Sequence, residues 1–160
     1  MLQRIRQFVT AGRQPTPADL ELAQQFLPPE LYELFLQQHP RDICHGAATA
    51  RWLLARGHDS RDLIAAALLH DVGKGNQRRI DRAVYVAATW FRLERRLACA
   101  TSRFELRRAA DRSLRHSERG ASLLAAGGAP ARVVELTRRH HEPPGGDDML
   151  ALLQRADAAS

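Results

Sequence analysis

The sequence predicts an all-α fold, and three observations carry that expectation. Apolar residues recur at three- and four-residue intervals over most of the chain; proline or capping side chains stand where these stretches begin and glycines where they end; and no stretch of useful length alternates apolar with polar residues. At 160 residues the chain is long enough to bury a substantial core and is expected to form one helical bundle in a single domain.

The elements follow in order. Thr16-Pro17 reads as an N-cap with proline at the first helical position, opening a helix through Phe26; Pro28-Pro29 stops it and opens another to about Gln38. Asp42 is the expected cap of a helix whose apolar positions Ile43, Ala47, Ala50 and Leu54 share a face, ending at Arg56-Gly57. Ser60 is the expected cap of the next, residues 61–71, whose run IAAALL calls for burial on most sides. RHSERGASLLAAGG forms a helix closed by Gly127-Gly128, Pro130 opens one to about His140, EPPGGDD is a loop, and residues 149–159 form the last helix. The expected organisation is a pair of N-terminal helices, residues 1–40, packing on a domain of residues 41–160 that carries an Arg-rich helical insertion at about 76–115.

Charge separates that insertion from the rest. The chain has 24 Lys+Arg against 18 Asp+Glu, a net charge of +6 and a pI near 10.5. Residues 78–119 hold 12 arginines and 5 acids, so the remainder of the chain is slightly acidic. All cations except Lys74 are arginine; a GC-rich coding sequence accounts for that preference, and it leaves the one lysine to be explained. Cys44 and Cys99 are too few for a disulfide framework and too far apart for a Cys-x-x-Cys metal site. Residues 1–10, MLQRIRQFVT, lack the apolar core of a secretory signal, and the longest uncharged apolar stretch, AVYVAATWF at 83–91, is too short to span a bilayer. A cytoplasmic location is expected.

The strongest chemical signal is His70-Asp71, directly after IAAALL. Burying two ionisable groups there is costly unless each has a partner, and a bound cation serves a neutral imidazole beside a carboxylate. The plainer alternative is a helix end with both side chains in solvent and Gly73 as a left-handed cap. His45 shares a helix face with Ala48, Thr49 and Trp52, the side expected to meet the following helix, and Asp157 follows the apolar Leu150, Leu152 and Leu153. His45, His70, Asp71 and Asp157 together offer two nitrogens and two carboxylates from three helices, a coherent set for a divalent cation.

The motif order His45, LLHDVGKG at 68–75 and QRADAAS at 154–160 resembles the HD superfamily of metal-dependent phosphohydrolases over roughly residues 40–160. The resemblance implies an all-helical HD-domain bundle in which His45, His70, Asp71 and Asp157 hold a divalent metal ion. RHSERGASLLAAGG and VVELTRRHHEP are similar to elements of two branches, ribonuclease Y and the bacterial diadenosine-tetraphosphate hydrolases. That likeness implies His116 and His140 as extra ligands and a second metal. His140 is preferred to His141 because Val133, Leu136 and His140 share a face from which His141 is turned by about 100°. HHEPPGGD is also similar to the cyclic-dinucleotide phosphodiesterases, in which adjacent histidines both ligate, so a part for His141 stays open.

The family chemistry implied is hydrolysis of a phosphoester or phosphoanhydride, in a nucleotide or small phosphorylated metabolite, with one or two ions of the Mn, Fe, Co, Ni, Zn or Mg type. Asp71, bridging the ions, and Lys74, reaching a substrate phosphate, are the expected catalytic residues, and Lys74 is also the expected substrate-binding residue. The Arg-rich segment is open to reading as a solvated face, as a funnel for polyanions or as a helix on anionic lipid. The rival function is a non-catalytic, metal-stabilised module that binds nucleic acid or an anionic surface through that segment; a membrane surface is not expected as a partner. Six candidate ligands, Lys74 and an aromatic content of only 6%, thin for stacking bases, favour the enzyme. His39 and His58 are expected at the surface, and Cys44 packed rather than ligating.

Overall fold

A helix with no polar face has nothing to offer water, so the segment LIAAALL must be covered on every side. The computed structural model describes residues 14–75, 101–103 and 115–160, and in it all seven of those side chains are at most 4% exposed. They belong to α4 (Arg61–Leu69), the axis of the fold. Around it and beside it lie α1 (Pro17–Phe26), α2 (Pro29–Leu36), α3 (Pro40–Leu54), α5 (His116–Ala126), α6 (Ala131–Arg139) and α7 (Asp148–Ala159), with a 3-10 turn, Val72–Lys74, following α4. No strand occurs among the described residues, and the fold is all-α. The Arg-rich insertion expected to be helical, including AVYVAATWF and Cys99, lies almost wholly outside the described residues, as do residues 1–13.

Helices α1, α3, α6 and α7 all pack against α4. The α3–α4 approach is close because position 46 is glycine: a Cβ there would fall 2.7 Å from the carbonyl oxygen of Leu68. α1 and α2 contribute Ala23, Leu31 and Phe35 to the same core, and burial of a side chain such as Phe35 stabilises by roughly 1.5–3 kcal/mol. In α7 the buried residues Leu150, Leu153 and Ala156 are three apart, which fixes the helix rotation and brings Asp157 to the edge of the core.

Two helix ends differ from the sequence expectation. α3 begins at Pro40, not after Asp42, because proline suits the first helical position and the His39 ring nitrogen Nδ1 accepts from the Arg41 N–H at 3.2 Å. Asp42 sits inside the first turn, buried. α4 stops at Leu69 rather than 71; Ser60 precedes it without capping through its side chain, and the chain tightens into the 3-10 turn. Gly73 is not a left-handed cap either, since the positive φ of this stretch, +62°, falls at Gly75.

Thr16 is the expected N-cap of α1, and it forms a capping box with Asp19. The Asp19 backbone N–H donates to the Thr16 hydroxyl at 3.3 Å, while the Asp19 carboxylate accepts from the Thr16 backbone N–H at 2.7 Å and from the Arg51 guanidinium on α3. Burial would raise the Asp19 carboxyl, but Thr16 and Arg51 outweigh it and hold the group below its ordinary value. Its contribution is therefore complete above the ordinary carboxylate pKa and lost as pH falls through the depressed one. Asp19→Ala should cost about 2 kcal/mol at neutral pH, read by urea denaturation, and the difference from the parent should shrink below pH 4. A difference that does not change with pH would refute this assignment.

Candidate metal centre

Five helices and the 3-10 turn bring side chains to one point. His45 comes from α3, His70 stands as the C-cap of α4, Asp71 precedes the 3-10 turn, His116 is the first residue of α5, His140 is the C-cap of α6, and Asp157 lies in the last turns of α7. All six sequence-predicted ligands are thus brought together. Gly73 makes the α5 contribution possible: its place against the His116 carbonyl and the Gly120 N–H leaves no room for a Cβ.

The donors form two groups. His45, His70 and Asp157 are one and His116, His140 and His141 the other, with the ligand atoms of each group within 4.8 Å of one another. In the first, His45 Nε2 is 2.7 Å from Asp157 Oδ1, and His70 Nε2 is 3.6 Å from the same oxygen. In the second, His116 Nε2 lies 3.2 Å from His140 Nε2 and 3.1 Å from His141 Nε2. Asp71 stands between them, with Oδ1 3.4 Å from His116 Nε2 and Oδ2 3.7 Å from His70 Nε2. The Lys74 ammonium is bonded to Asp71 Oδ2.

These residues fit a divalent cation on three counts. The His70 and His140 rings each donate from Nδ1 to a backbone carbonyl, Ala67 at 2.9 Å and Thr137 at 2.6 Å, which leaves both Nε2 lone pairs pointing into the centre. His70 Nε2 is buried and has no hydrogen bond of normal length. Three imidazole nitrogens converge at His116, where one proton cannot serve every contact and a shared cation can. Imidazoles with carboxylates, and no thiolate, suit Mn, Fe, Co, Ni or Zn.

The charge states agree. Burial would lower His70, but the Asp71 and Asp157 carboxylates outweigh it and push the ring up to about 9, so without a metal a proton takes the cation's place. Burial works against both carboxylates too; Lys74 and the histidines nevertheless hold Asp71 well below the usual range, and His45 and His70 do the same for Asp157. His140 is pulled down to about 2 by burial and by its neighbours His70 and His141, and burial lowers His141 as well, so both present neutral, ligand-ready rings.

His141, which helical phase ranked behind His140 and the sequence left open, stands in the second group. α6 ends at Arg139, so the 100° step from His140 does not apply, and the turn that follows brings the two rings to 3.9 Å between centroids. His39 and His58 take no part in either group, and Cys44 is half-buried in α3 outside both.

An all-helical bundle that gathers histidines and aspartates into two adjoining groups, each able to hold a metal ion, defines a His/Asp helical domain. The sequence pattern of the HD domain matches residues 43–160, and the chain is a member of the HD-domain family, typically metal-dependent hydrolases. No curated protein and no solved structure matches it. No described helix is long and apolar enough to cross a membrane.

Proposed function

We propose that this chain is a metal-dependent phosphohydrolase that cleaves a phosphoester or phosphoanhydride of a nucleotide or small phosphorylated metabolite. The observation that carries the reading is Asp71: a buried carboxylate with one oxygen turned to each histidine group and a lysine on its rim. His45, His70 and Asp157 would hold one divalent ion, and His116, His140 and His141 a second, with Asp71 shared. When bound, such ions supply a nucleophilic water at neutral pH and neutralise charge on the phosphoryl oxygens.

The residues of the chain supply the rest. Lys74 and the neighbouring histidines hold the Asp71 carboxyl well below its ordinary range, so it would meet a cation as a carboxylate. The Ala67 and Thr137 carbonyls hold His70 and His140 in the tautomer that leaves Nε2 available. Lys74, partly exposed beside the buried Asp71, can exchange its carboxylate partner for a substrate phosphate as charge builds there.

The test is a screen of nucleotides, dinucleoside polyphosphates and simple phosphoesters with metal-free protein, then with Mn, Fe, Co or Ni restored. Turnover should need added metal. Lys74→Met should lower kcat/KM on the best substrate by about 10²-fold with metal content unchanged. Full metal loading with no turnover of any phosphate ester would overturn the proposal, and a Lys74→Met enzyme as active as the parent would remove the lysine from it.

A further inference from the structure

The two histidine groups come from different helices, and their separation has to be set by something other than the ligands themselves. The segment after α6 carries His140 and His141, while Asp157 belongs to α7. At a helix C-terminus the last carbonyls have no intrahelical donor. Here those of His140 and Glu142, which flank His141, accept hydrogen bonds from the side-chain amide of Gln154, at 3.2 Å and 2.6 Å. Gln154 lies on α7, three residues before Asp157 and about one turn away.

We infer that Gln154 is a positioning residue that ties the second cation group to the first: its amide fixes the turn bearing His140 and His141 to the helix bearing Asp157. The inference rests on the metal-centre reading above. Among the described residues, the Gln154 amide donates to backbone carbonyls on either side of His141 and not to a ligand atom. The chemistry asked of it is donation of both amide hydrogens from a planar group, which methionine of similar length cannot offer and glutamate reverses. The first group, His45, His70 and Asp157, is built from α3, α4 and α7 and does not pass through this link.

The experiment is titration of metal-free protein with Co2+, followed by visible absorption and calorimetry, for the parent, Gln154→Met, Gln154→Glu and, as control, Arg155→Met. Arg155 is exposed and donates to the Ala151 carbonyl of its own helix. The parent should take two ions in distinguishable steps. Both Gln154 variants should bind the first within about twofold of the parent and the second at least about tenfold more weakly, the loss usual for an outer partner of a ligand. Arg155→Met should match the parent. Equal affinities for both ions in Gln154→Met, or an equal weakening of both steps as general loosening would give, overturns the inference while leaving the metal centre in place. A parent that binds fewer than two ions overturns the two-group centre and the inference with it.

Discussion

Asp71→Asn is expected to abolish turnover and to remove the second metal ion, with the fold retained. The carboxylate is 4% exposed and faces both histidine groups, one oxygen to each. An amide keeps the shape and loses one acceptor oxygen: whichever way it turns, its NH2 meets an imidazole lone pair or the Lys74 ammonium. Loss of a shared ligand should exceed the roughly 10–100-fold cost of losing an outer partner, so kcat/KM should fall by at least about 10³-fold. The fold is expected to survive because loss of the Asp71 charge is matched by loss of the proton on His70. His70 owes its raised pKa partly to Asp71, and with that charge gone it sheds its proton rather than remain a poorly balanced buried imidazolium. Histidine NMR of metal-free protein would record that drop. Activity within tenfold of the parent, or His70 still titrating near 9, would contradict the shared-ligand role.

The helical fold is legible in the sequence because its strongest determinants are local. The unbroken apolar run of α4 demands burial on all sides wherever it is placed, and Pro17, Pro29 and the Gly127-Gly128 pair mark ends without reference to the rest of the molecule. The errors at α3 and α4 arise where two local signals compete. Pro40 outranks Asp42 as a helix starter, and the chain after α4 tightens into a 3-10 turn that no spacing rule anticipates.

The candidate metal centre is less evenly legible. His70-Asp71 stands out because two ionisable residues end a buried helix, and His45 and Asp157 follow from faces that must meet. His116 and His140 carry no such mark and depend on family resemblance. His141 is hidden for a physical reason, since its direction depends on where α6 stops, and the stop is decided by the tertiary contacts of the turn. Gln154 is hidden more deeply: its partners are backbone carbonyls, which have no residue identity to read.

Gly73→Ala should be the most damaging of the small substitutions. An added Cβ would stand 1.9 Å from the His116 carbonyl oxygen and 2.5 Å from the Gly120 nitrogen, and both are backbone atoms that no rotamer change can move aside. The 3-10 turn and α5 must separate, which withdraws His116 from Asp71 and strips contacts from the buried Val72 and Ala121. Destabilisation of about 3 kcal/mol or more is expected, at or above the upper end for overpacking. Gly57→Ala is the fitting comparison: its φ is +79° but nothing lies within 4 Å of the new methyl group, so it meets backbone strain alone, about 1–2 kcal/mol, and should keep full activity. Because the first cation group lies on α3, α4 and α7, Gly73→Ala protein that remains folded at low temperature should still take up one ion and lose the second. Thermal melts with metal analysis of both variants decide the matter, and equal melting temperatures with two ions bound in each would show that α5 does not depend on the missing Cβ.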